Sequence, residues 1–198
     1  SQIEGKQHSQ LILRGATLIN STGAPPIGPV DIVIEKNIIK KVQNVGYPGV
    51  PINENRRPKL SKNGVEINCE GSYILPGFID THGHIGGRSQ GASPDYVFKL
   101  WMAHGITTIR EPGGSLSHEL KLELKNKSEK NTIVAPRIIA FSTFNSRVQS
   151  PNEAKEWVRD NAKKGSDGIK FFGAPPEIMQ AAIKENKRLG LRLSLIHI

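Results

Sequence analysis

The chain has 198 residues, and 27 Lys and Arg against 18 Asp and Glu give a formal net charge of +9. That length allows one large core or two small domains; it is too short for a small domain plus a complete (β/α)8 barrel, which alone takes roughly 250 residues. No apolar run approaches the ~20 residues of a membrane span, and the single cysteine, Cys69, excludes an internal disulfide framework.

Residues 10–75 read as strands and turns. Leu11–Ile19 is a strand-like run, followed by the turn chemistry of Asn20-Ser-Thr-Gly-Ala-Pro-Pro26. Val30–Glu35 alternates apolar and polar residues, Lys36-Asn37 turns, and Ile38–Val42 returns as a hairpin partner. Residues 44–63, rich in Pro, Gly and Asn, read as an irregular loop, and 65–69 and 72–75 as short strands. From Pro76 the rhythm changes to strands alternating with helices. Strands are expected over 78–82, 106–110, 137–141, 168–172 and 191–195, and helices over 94–104, 116–130, 151–165 and 176–189. Ser93-Pro94 and Ser150-Pro-Asn-Glu153 are helix-start signals, the second a capping box.

This alternation implies βαβ units and a parallel sheet of the α/β class. Two domains are expected, 1–75 and 76–198. Four units of about 30 residues fit either a four-unit open sheet or half of a barrel that would need about 240.

A sequence pI near 9.7 raises nucleic-acid binding. The charge distribution argues against it. Lys121, Lys125, Lys127 and Lys130 alternate with Glu119, Glu123 and Glu129, and Lys155, Lys163 and Lys164 with Glu153, Glu156 and Asp160. Such mixed faces read as solvent-facing. The one basic loop, Asn55–Lys62, has no aromatic residues interleaved for base stacking. No nucleic-acid or membrane partner is expected.

The strongest chemical signal is Leu75-Pro-Gly-Phe-Ile-Asp-Thr-His-Gly-His84. Histidines at i and i+2 on a strand project from the same side and can reach one metal through Zn–N bonds of ~2.0–2.1 Å. Gly83 adds no side chain to crowd an ion, and Asp80, in phase with both, could orient a ligand. Taken alone, the pattern also fits two surface histidines. Lys170 stands inside the apolar strand Gly168-Ile-Lys-Phe-Phe172, where an unpaired ammonium is costly. It either snorkels to a sheet edge or is a perturbed or carboxylated lysine in a polar barrel centre. Glu111, before Pro112-Gly-Gly114, is either a metal-site neighbour or a residue that pairs with Arg110 or caps the next helix. Arg88, in Gly86-Gly-Arg88, could hold a substrate carboxylate or lie in a flexible loop.

Together these residues resemble the metal-dependent amidohydrolase superfamily, and within it the imidazolonepropionase-like and prolidase-like group. Pro76–His84 matches the Pro-Gly-Phe-Ile-Asp-x-His-x-His signature completely, Gly105–Arg110 resembles the second barrel strand, and Gly168–Phe171 the fourth. The resemblance implies the first half of a TIM barrel preceded by a small β-sandwich domain. It further implies hydrolysis of amide-type C–N bonds in a cyclic amide, dipeptide or N-acyl amino acid. One or two divalent ions are expected, Zn2+ first, with Mn2+, Fe2+ or Co2+ as alternatives. His82, His84 and Lys170 as a carbamate would hold them, with His197 as a further candidate, although residues 193–198 also read as adventitious sequence.

The resemblance places no catalytic residue within the chain: the general-base aspartate is expected beyond residue 198. The chain is therefore expected to be an inactive fragment, poorly soluble and weak in metal binding, of a parent that is a homo-oligomer. Its start, Ser1-Gln-Ile-Glu-Gly-Lys6, has neither Met nor an apolar targeting stretch, which leaves a cytoplasmic and an exported, processed protein both open. The rival expectation is a non-catalytic α/β module that binds a small molecule without using His82 and His84.

Overall fold

The computed structural model describes residues 8–145 and 147–195, and the chain divides after Pro76 into two compact units. The first is a five-stranded sheet of β1 (Gln10–Leu18), β2 (Ile27–Glu35), β3 (Ile38–Asn44), β4 (Val65–Asn68) and β5 (Tyr73–Ile74). The order is β3-β2-β1-β4, with β5 alongside the end of β1. The β2–β3 hairpin closes through Lys36 at φ 57, a left-handed turn position. The basic loop is turned onto acids of its own unit. Arg57 faces the fully buried Asp31 at 3.3 Å and Glu54 and Glu70 at 3.4 Å, and Arg14 pairs with Asp31 at 2.8 Å.

The second unit alternates β6 (Phe78–Asp80), α1 (Pro94–Ala103), β7 (Ile106–Glu111), α2 (His118–Glu129), β8 (Arg137–Thr143), α3 (Pro151–Lys164), β9 (Gly168–Phe171), α4 (Pro176–Arg188) and β10 (Arg192–Leu195). All neighbouring strands are parallel, in the order β10-β9-β8-β7-β6. A doubly wound open sheet reverses its order at a switch point; here every strand adds to the same edge, as in a barrel. The order separates the half-barrel from the open sheet, which repeat length alone leaves undecided.

Local chemistry sets the helix starts. Ser93, Ser117 and Ser150 each cap a helix by accepting from the backbone N–H three residues on, at 3.2–3.4 Å. Gly165, at φ 101, ends α3 in the left-handed region. The helix-facing side of the sheet buries Phe98, Ile109, Ile138 and Ala140 in one cluster, and Val158, Ile169, Phe171, Ile178 and Ala182 in another.

The solvent-facing reading holds for Lys127 and Lys130, which are exposed, but not for Lys121 and Lys125. Lys121 is only 2% exposed, and its Nζ donates to Phe141 O at 3.1 Å. Lys125 Nζ donates to Gly165 O and Asp167 Oδ1, and Ser128 Oγ to Pro136 O. Positions 121, 125 and 128 share one helix face, which is polar in sequence because it docks by hydrogen bonds to partners outside the helix.

Candidate active site

The carboxyl ends of the half-barrel strands surround a cavity of about 530 Å3 lined by His82, His84, Arg110, Lys170, Phe172 and Ser194, among others. This is the end at which parallel α/β folds carry their chemistry.

The strand expected over 78–82 stops at Asp80. The Asp80 Oδ1 accepts from His82 N at 2.8 Å and bends the chain two residues on. His82 and His84 therefore sit in the connection after β6 rather than on one pleat, and Asp80 holds backbone, not an imidazole. The two rings still meet at the cavity, with centroids 5.7 Å apart and planes at 88°. Two imidazoles bound to one zinc through ~2.0–2.1 Å bonds have centroids about 5–6 Å apart, so the spacing fits a shared ion. Gly83 is needed for a different reason than room for an ion: a Cβ there would stand 2.6 Å from Ile109 Cδ1 and 3.0 Å from Trp101 Cζ2.

Partial burial, then the charges of Lys170, His84 and Arg110, hold the His82 imidazole below its ordinary value. The neutral ring is the form that binds a cation. Lys170 is 5% exposed on β9, a strand flanked on both sides, which removes the sheet-edge reading. Its Nζ donates to Leu195 O at 3.2 Å and lies 5.5 Å from the Phe172 ring centroid.

Glu111 is 1% exposed and does not pair with Arg110. Its Oε1 lies 3.1 Å from His84 Nδ1 and accepts from Gly113 N at 2.8 Å, and its Oε2 accepts from Ile85 N at 2.8 Å. Of the readings open in sequence, that of a site neighbour matches the geometry. Arg88 falls in a short, exposed turn between Gly87 (φ 113) and Gly91 (φ 63), away from the cavity lining. The cation beside the histidines is Arg110, whose Nε donates to Thr81 O. The signal for it was present in sequence: Arg110 lies on the face of β7 opposite the buried Ile109. Ser194, the register partner of Lys170, was also missed.

His197 lies outside the described residues. Among the described residues no group of three or more His, Cys, Asp or Glu could hold a metal, and no helix is long and apolar enough to cross a membrane. His104 stays local, with Nδ1 2.8 Å from Leu100 O. His118 does more than open α2: its Nε2 is 3.2 Å from Ser142 Oγ and 3.1 Å from Ser166 Oγ, beside a second cavity of about 540 Å3.

The fold is that of amidohydrolases and prolidases. An amidohydrolase structure superposes with a TM-score of 0.69 at 18% identity, covering 94% of this chain and 55% of that one. A prolidase solved with N-methylphosphonate-L-proline gives 0.68 at 17%, with the same coverage of each chain, so the chain spans about half the length of these structures. In sequence it is similar to adenine deaminases. One from Ligilactobacillus salivarius is 30% identical over 105 residues, 53% of this chain and 15% of that protein. Another, from Desulfotalea psychrophila, is 48% identical over 44 residues, 22% of this chain and 7% of that protein. No protein-family profile matches the sequence. The resemblance to the amidohydrolase superfamily carried by residues 76–84 thus extends to both fold and sequence relatives.

Proposed function

We propose that the protein hydrolyses C–N bonds of small molecules at the His82–His84–Lys170 cavity, with a divalent cation, zinc first, as its cofactor. The observation that carries this reading is the convergence of two imidazoles, a buried lysine and an arginine on one cavity at the carboxyl end of a parallel half-barrel. The candidate substrates are cyclic amides, dipeptides and N-acyl amino acids, of which dipeptides fit the likeness to a prolidase, and the exocyclic amine of a heteroaromatic ring, as the names of the sequence relatives suggest.

His82 and His84 would hold the cation through ring nitrogens. Bound there, it supplies Lewis acidity that polarises the bond under attack and makes water more acidic. Lys170 would act as a carbamate: its neutral Nζ adds to CO2, one proton is released, and an anionic carboxylate remains as an oxygen donor. Arg110 would orient an anionic substrate group by charge-assisted hydrogen bonds. No general base is assigned among the described residues, so the isolated chain is proposed to be inactive.

The test assays the natural protein containing these residues against dipeptides, N-acyl amino acids, cyclic amides and adenine, with metal added. His82→Ala and His84→Ala should each abolish turnover. Lys170→Ala should lose it and regain part with a short carboxylic acid. Near-normal turnover and metal content in either histidine variant would refute the assignment, and a fully active Lys170→Arg would remove the carbamate.

A further inference from the structure

A carboxylate 1% exposed stands directly behind one of the two histidines, and two backbone N–H groups and an imidazole nitrogen converge on it. Gly113 N and Ile85 N both donate to Glu111, at 2.8 Å each, so the side chain ties the loop after β7 to the connection after β6. The third neighbour is His84 Nδ1, 3.1 Å from Oε1. An ionised carboxylate only accepts hydrogen bonds, so the contact is favourable when Nδ1 carries the ring proton. The turn that follows is shaped around this contact. Gly113 has φ +130, and a Cβ on Gly114 would stand 3.3 Å from both Glu111 Oε2 and His84 Nδ1. The Glu111 charge also stabilises the ammonium of Lys121, buried on the neighbouring helix.

We infer that Glu111 is the positioning residue of this centre: its buried carboxylate holds the proton of His84 on Nδ1 and leaves Nε2 as the ring's one lone pair. For the site proposed above, this presents His84 ready to coordinate and fixes its ring plane; that part rests on the metal reading, whereas the tautomer does not. Carboxylates placed behind ligating histidines do this elsewhere, and removing them lowers metal affinity about 10- to 100-fold. Sequence order hides the pairing, because the partners lie 27 residues apart on successive βα units.

The test is the tautomer of His84 in the metal-free chain, read by long-range 1H–15N correlation at mildly alkaline pH and assigned by loss of the signal in His84→Ala. The wild type should show the Nδ1–H form. In Glu111→Ala the acceptor facing Nδ1 is gone, so the Nδ1–H preference should be lost and zinc affinity should fall about 10- to 100-fold. Glu111→Asp should keep the tautomer at least in part. A wild-type Nε2–H tautomer overturns the inference without any variant, and so does a folded Glu111→Ala that keeps Nδ1–H. The Nδ1–H form together with no zinc binding by the wild type supports the positioning and counts against the metal reading.

Discussion

Gly168 opens β9, two residues before Lys170 and on the same face, and is the direct register partner of Phe141 on β8. The fully buried Phe141 ring lies against Gly168 because position 168 has no side chain, and the Arg110 guanidinium stands 5.4 Å from the ring on the same layer. In Gly168→Ala the new Cβ would be 2.6 Å from Arg192 O and closer still to Phe141 Cε1. The first neighbour is backbone and the second is a ring held by its own packing, so neither yields cheaply. Overpacking of this kind costs ~1–3 kcal/mol, while the loss of unfolded-state freedom on Gly→Ala returns ~0.4–1 kcal/mol. The clash wins by about 1–2 kcal/mol. At roughly 2–4 °C per kcal/mol for a chain of this size, Tm should fall by about 2–8 °C in thermal unfolding followed by circular dichroism. Phe141→Leu makes room for part of the new methyl, so the double variant should be less destabilised than the sum of the singles by about 0.5–1 kcal/mol. An unchanged or raised Tm in Gly168→Ala, or strict additivity in the pair, would refute the packing argument.

Two further predictions concern pH. Glu185, hydrogen-bonded by Arg188 and Arg159, is lowered from 4.5 to about 2; its stabilisation is complete above about pH 4.5 and is lost as pH falls from there towards 2. Glu185→Gln should flatten that part of the acid-unfolding curve, and an unaltered curve would contradict the pairing. Burial holds Lys121 below 10.5, with Glu111 opposing the shift, so the unfolded chain binds the proton more tightly and stability should rise as pH climbs towards 10.5. Lys121→Met should abolish this alkaline slope, and a slope of wild-type size in that variant would show that the ammonium is not buried.

Much of the half-barrel was legible because its signals are local. Ser93 and Ser150 announce α1 and α3 through side chains that reach only three residues ahead, and Gly165 closes α3 by a conformation that glycine adopts freely. The apolar strands expected over 106–110, 137–141 and 168–172 are found at Ile106–Glu111, Arg137–Thr143 and Gly168–Phe171. What could not be read depends on distant partners. Asp80 ends β6 early by capturing His82 N, which alternation of residue types does not reveal. Lys121 looks like a surface residue until Phe141 O, twenty residues on, takes its proton donor. Glu111 gains its meaning from His84, and Arg88 stands in an exposed turn between two glycines of positive φ while Arg110 lines the cavity. Repeat length could not separate an open sheet from a half-barrel; only the strand order does.

In the proposed site His82 and His84 share one divalent cation. Titrating the metal-free protein with cobalt(II), and following the visible absorption of the bound ion, tests it most directly. Binding should be saturable, zinc should displace the cobalt, and the His82→Ala/His84→Ala double variant should bind at least about tenfold more weakly, with its unfolding curve little changed. Equal affinity in the wild type and the folded double variant would contradict it.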